Sequence, residues 1–161
     1  MANDACSTGT CEVHESQTTD HSATAQKAAI VVLSDPKSGS QEEALGRVFN
    51  ALAAAYDFKQ RGDDVTVLFQ GAATRWIGEL SKEEHPAHGL YLEVESTIAG
   101  ISCGCADIFG GGEKAQASGF DLITDNPVPG TTGLPSLAAL VSEGSALPTF
   151  YASAAAAASR L

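Results

Sequence analysis

Hydrophobic and polar positions fall into alternating blocks along the chain, and these blocks predict strands separated by helices. The first, Ala28-Ala29-Ile30-Val31-Val32-Leu33, is short, apolar and rich in β-branched residues, as expected of a strand buried on both faces. Ser34 to Gly39 reads as a loop, and Ser40 with Glu43 three residues later has the form of a capping box. From there Leu45, Val48, Phe49, Leu52, Ala55 and Tyr56 recur at three- and four-residue spacing, which predicts a helix with one apolar stripe. Lys59 and Arg61 suit the negative end of that helix, and Gly62 stops it.

The later blocks are weaker. Val65 to Phe69 predicts a second strand, and Gln70-Gly71 leads into a short helix over Ala72 to Leu80. Lys82 to His88 is a polar connection, followed by a helical pattern over Leu90 to Ile98. Gly100-Ile101-Ser102-Cys103 predicts a third, short strand feeding a turn at Gly104. A weak helix from Asp107 to Ala117 is interrupted by Gly110, Gly111 and Gly112, and Phe120 to Thr124 makes a fourth element. After a Pro- and Gly-rich loop from Asn126 to Thr132, Pro135 pre-sets a helical turn whose apolar face is Leu137, Leu140 and Val141. Ala146 to Phe150 is the last strand, kept to an edge or a strand end by Pro148.

Such alternation predicts an α/β fold, a three-layer α/β/α arrangement with a mainly parallel sheet of about five strands joined by right-handed crossovers. Ligand crevices in such sheets lie beyond the carboxyl ends of the strands. The loops at Ser34–Gly39, Gln70–Thr74, Cys103–Cys105 and Asp125–Thr132 all leave those ends and are expected on one rim.

The flanks carry no such pattern. Residues 1–26 are polar and acidic, with Val13 as the only sizeable aliphatic, and are expected to form a disordered tail. Residues 151–161 form an alanine-rich second tail, which leaves one α/β domain over residues 27–150. With 161 residues, 43% of them hydrophobic, the chain suits a single core. No apolar run approaches the roughly 20 residues of a membrane span, and no basic-then-apolar leader opens the chain, so a soluble cytoplasmic protein is expected.

Nine Lys and Arg face twenty Asp and Glu, a formal charge of −11. That surface repels phosphate backbones and anionic lipid, so neither nucleic acid nor membrane is an expected partner. No cofactor is expected either, because Gly110-Gly111-Gly112-Glu113-Lys114 lacks the P-loop spacing and no G-x-G-x-x-G follows the first strand.

The four cysteines form two pairs, Cys6 with Cys11 and Cys103 with Cys105, and read as thiols. Cys6, Cys11, His14 and His21 do not follow a standard zinc spacing and have no core to hold them, so no metal site is expected. His85 and His88 bracket Pro86 in a polar connection, where exposed histidines without a task are the ordinary case. Arg75 is a candidate anion contact, Trp76 a core or subunit-interface anchor, and Asp125 with Thr131 and Thr132 candidate polar contacts to a small ligand. Ser159-Arg160-Leu161 looks like a variant of a peroxisomal address, which one tripeptide supports thinly.

Several stretches together resemble the DsrE/DsrF-like family of small sulfur-relay proteins. They are the opening strand with Ser34-Asp35-Pro36, the segment Phe69-Gln70-Gly71-Ala72-Ala73-Thr74-Arg75-Trp76, and Ile101-Ser102-Cys103-Gly104-Cys105-Ala106-Asp107-Ile108-Phe109-Gly110. Leu122 to Asp125 and Gly133 to Leu137 look similar too. The resemblance implies assembly into trimers or hexamers, with a sulfur-donor or acceptor protein as partner. It implies a cysteine that carries sulfane sulfur as a persulfide, and Cys105, just before Ala106, best matches it. Many relatives have another cysteine three positions earlier, where this chain has Ser102, while Cys103 is displaced by one.

A thiol at a strand end that opens a helix meets unpaired N–H groups and the positive dipole end, which favour its anionic form. Gly104 is expected to leave room for an incoming sulfur donor, and Cys103 either resolves an intermediate or points into the core. The candidate site is therefore Cys105 and Cys103 as catalytic thiols, with Gln70, Gly71, Arg75, Gly104 and Asp125 binding substrate. The bland alternative is an oligomeric binding module in which both cysteines are small buried hydrophobes.

Overall fold

Five parallel strands are ordered β4-β3-β2-β1-β5 in the computed structural model, which describes residues 24–151. They are β1 (Lys27–Val32), β2 (Asp64–Phe69), β3 (Ile98–Ser102), β4 (Asp121–Ile123) and β5 (Thr149–Phe150). The helices are α1 (Gln41–Gln60), α2 (Trp76–Leu80), α3 (His88–Val94), α4 (Cys103–Phe109), α5 (Gly112–Ala117) and α6 (Leu137–Ser142). The α/β class, the strand number and the parallel pairing are those expected from the sequence. Of the assigned tails, 1–26 and 151–161, residues 1–23 and 152–161 lie outside the described residues. Gln26, at the end of the expected tail, already joins the fold, since its carbonyl accepts from Asp64 N at 2.9 Å.

Strand order explains an asymmetry between the layers. From β1 to β4 each step moves one strand in the same direction, so right-handed crossovers place α1 to α5 on one face. The chain must then return from β4 past three strands to reach β5, and this crossover, carrying α6, takes the other face. Packing agrees. Ile30, Val32, Val67 and Phe69 share one core with Val48 and Leu52 of α1, Ile77 of α2 and Val94 of α3. On the opposite face, where Leu68 is buried and Ala99 exposed, α6 buries none of its residues.

α1 begins as expected, with Ser40 Oγ accepting from Glu43 N at 3.1 Å. Its stripe is placed differently. Ala44, Val48, Ala51, Leu52 and Ala55 are buried, whereas Phe49 and Tyr56 are 45% and 38% exposed. Small alanines let the helix lie close to the sheet, and that rotates the two aromatic side chains outward. On α6, Leu137 and Leu140 are half-buried while Val141 is 55% exposed, so the expected apolar face is only partly covered among the described residues.

Two boundaries also move. Ile98, read as helical, opens β3 after a 3₁₀ turn over Glu95–Thr97. Cys103, read as the end of that strand, is the first residue of α4. The expected edge position of the last strand holds: β5 pairs only with β1, and Pro148 contributes its carbonyl, which accepts from Val31 N at 2.8 Å.

Candidate functional site

The connections after β3 and β4 leave toward opposite faces, and these strands are neighbours. Adjacent strands with diverging exits open a crevice at their carboxyl ends, so the topology directs attention to Ser102–Cys105 and to the loop after β4. Ser102 makes the transition there. Its backbone is extended, and its buried hydroxyl accepts from Cys105 N at 3.3 Å, capping α4. Cys103 and Cys105 are free thiols, each partly exposed, in the first turn of that helix.

Helical spacing separates them. Residues two apart on a helix point to different sides, while those three and four apart share one. Cys103 is therefore grouped with Ala106 and Asp107, and Cys105 with Ile108 and Phe109. Ala106 and Asp107 line an open cleft of about 500 Å³ that continues along Gly110–Gly112 to Lys114 and Leu122. Cys103 is not among the residues that line the cleft; helical spacing gives it the side of α4 that carries Asp107, and gives Cys105 the side of Phe109.

That second side is fastened to the segment after β2. Gln70, 8% exposed, follows β2, Gly71 starts a 3₁₀ turn over Gly71–Arg75, and this turn packs against α4. Arg75 Nε donates to Phe109 O at 2.6 Å, and Nη1 pairs with Asp35 Oδ2 at 3.0 Å. Thr74 Oγ1 donates to Gly110 O at 2.8 Å. Arg75, expected to contact an anion, thus already holds a carboxylate of this chain and links the loop after β1 to the end of α4. Asp35 and Thr74 escaped sequence reasoning because their partners stand 40 and 36 residues away with no local pattern to mark them.

Gly104 is held by the other loop. Its N–H donates to Gly133 O at 2.7 Å, and a Cβ added there would stand 3.0 Å from that oxygen and 3.1 Å from Thr131 Cβ. The room that glycine leaves is occupied by residues 131–134. Thr132 Oγ1 donates to Asp107 Oδ2 at 2.6 Å and ties the loop to α4 again. Asp125 lies apart, on a groove of about 290 Å³ between the thin face of the sheet and α6.

The histidines face elsewhere. His88 Nδ1 lies 2.7 Å from Leu80 O, and His85 Nδ1 accepts from Ala87 N at 3.2 Å, its ring edge-on to Trp76 with centroids 6.0 Å apart. Burial holds the His85 pKa below its ordinary 6.5, with the Glu79 carboxylate opposing that shift. The unfolded chain then binds a proton at His85 more readily than the folded one. Stability is complete above about pH 6.5 and falls as the pH drops below it. His85→Asn keeps an acceptor for Ala87 N–H and removes the titration, so its denaturation midpoints are expected to vary less with pH across that range. Identical slopes for parent and variant would refute this assignment.

No group of three or more His, Cys, Asp or Glu side chains fit to hold a metal occurs among the described residues. Cys6, Cys11, His14, His21 and Ser159-Arg160-Leu161 lie outside them. No helix among the described residues is long and apolar enough to cross a membrane. No protein-family model, curated protein or solved structure matches this chain.

Proposed function

We propose that the chain is a sulfur carrier of the DsrE kind, sulfurtransferase-like in its chemistry, with Cys105 as the persulfide-bearing residue. One observation carries the reading: a partly exposed thiol in the first turn of a helix, where the strand exits diverge. The Cys105 thiolate attacks the outer sulfur of a persulfide donor R–S–SH, forming Cys105–S–SH and releasing RS⁻. A thiolate of an acceptor protein then takes the outer sulfur and returns Cys105 to its thiolate.

Incubation with a persulfide donor and intact mass measurement test this. One added sulfur atom is expected on the parent chain and on Cys103→Ser, and none on Cys105→Ser. Sulfur retained by Cys105→Ser but lost in Cys103→Ser moves the role to Cys103. A folded parent chain that gains no sulfur ends the proposal.

Assembly into a trimer or hexamer belongs to the same reading. The support for it is Val141, 55% exposed on α6, beside the exposed Ala99 of β3 on the same side of the sheet. Val141→Glu is expected to lower the mass measured by analytical ultracentrifugation. A parent chain that sediments as a monomer refutes the assembly, whereas one that assembles but gains no sulfur leaves the alternative of a non-catalytic oligomeric module binding a small molecule or a protein.

A further inference from the structure

A third cavity, of about 280 Å³, lies between the start of α1 and the connection from α2 to α3. Pro36, Leu45, Trp76 and Pro86 give it apolar walls, drawn from four segments of the chain that only the fold brings together. The side chains of Glu42 and Glu79 also line it, and no lysine or arginine does. Glu79 is an ionised carboxylate, its pKa held down chiefly by the hydrogen bond from Lys82, which takes only Oε2. Glu42 stands exposed in the first turn of α1. His85 completes the lining without adding positive charge, because its Nδ1 serves as acceptor and burial disfavours its protonation.

We propose that this cavity binds a small organic cation: a primary alkylammonium whose stem lies on the apolar walls and whose head is shared by Glu42 and Glu79. The chemistry of the lining selects that class. Lys82 pairs with Glu79 Oε2 from outside the lining, but Glu42 is paired with no cation among the described residues and Glu79 Oε1 takes no bond from Lys82. The lining therefore disfavours anions and offers a neutral molecule a hydrogen bond without the charge attraction that a cation gains. The net charge of −11 raises the local concentration of cations around the whole chain. The volume stands at the small end of ligand cavities, so a short stem fits and a nucleotide does not. None of this depends on the cysteines.

Trp76 is the only tryptophan, so its emission reports on the cavity. The full chain is titrated near neutral pH with n-butylamine, n-butanol and butyrate in turn. A saturable change in emission is expected with n-butylammonium, at a Kd at least about tenfold below that of n-butanol, and none with butyrate. The Glu42→Gln/Glu79→Gln double variant is expected to lose that preference while keeping the parent's far-UV circular dichroism. Cys105→Ser is expected to bind as the parent does. Equal binding of n-butanol overturns the proposal, as does a double variant that still prefers the amine. So does emission that shows no saturation on the order of 0.1 M amine, a Kd too weak to mark a site.

Discussion

Alanine in place of Gly100 is expected to lower the melting temperature by on the order of 10 °C or more, the counterpart of about 3–5 kcal/mol in a domain of this size. Gly100 has φ +145, a region that side chains rarely adopt, and a Cβ added there would stand 2.3 Å from Asp121 O. That oxygen belongs to the backbone of β4, the neighbouring strand, so relief requires β4 to move. Gly130 provides the control. Its φ is +79, but nothing lies within 4 Å of an added Cβ, so alanine there meets backbone strain alone, about 1 kcal/mol. Thermal unfolding followed by circular dichroism compares the two. Equal losses at both positions would show that the close approach of β3 and β4 is not what requires glycine.

The second large effect concerns thiol pairing. Mild oxidation is expected to leave Cys103 and Cys105 unbridged in the parent chain. In Ser102→Cys it is expected to join the introduced thiol to Cys105 in nearly every molecule. Both native thiols have helical backbone and diverge by the angle of two helical steps, whereas a disulfide needs Cβ atoms about 3.8 Å apart. The cap position and the third helical residue instead face one another, as the contact of Ser102 Oγ with Cys105 N shows. The comparison belongs in a Cys6→Ser/Cys11→Ser background, with peptide mapping after alkylation as the readout. A Cys103–Cys105 bridge formed readily in the parent would mean that the first turn of α4 opens in solution.

How far the sequence carried differs from element to element. β1 and α1 were legible because their signals are local: five consecutive buried residues from Ala28 to Val32, and a capped helix of twenty residues. β3 was obscured by its own irregularity. Val67 pairs with Ile98 and Leu68 with Gly100, so Ala99 is an extra residue, and the bulge puts Ile98 and Ile101 in the same core although they are three apart. Ile98 also stands four residues after Val94, a helical spacing, and so read as the end of the preceding helix. The cysteine segment was found, but its conformation was not, since the cap at Ser102 shows only once β3 is seen to stop there.

From residues alone came the alternation of strands and helices, the parallel α/β class and the gathering of strand-end loops on one rim. These follow from hydrophobic periodicity and short-range capping, which act within a few residues of chain. Only the tertiary structure decided the strand order that thins one layer, the outward turn of Phe49 and Tyr56, and the pairing of Arg75 with Asp35. It alone also decided that residues 131–134 fill the space beside Gly104. Each of these depends on which segments distant in sequence come into contact, and contact at that range is set by the packing of the whole core rather than by any local pattern.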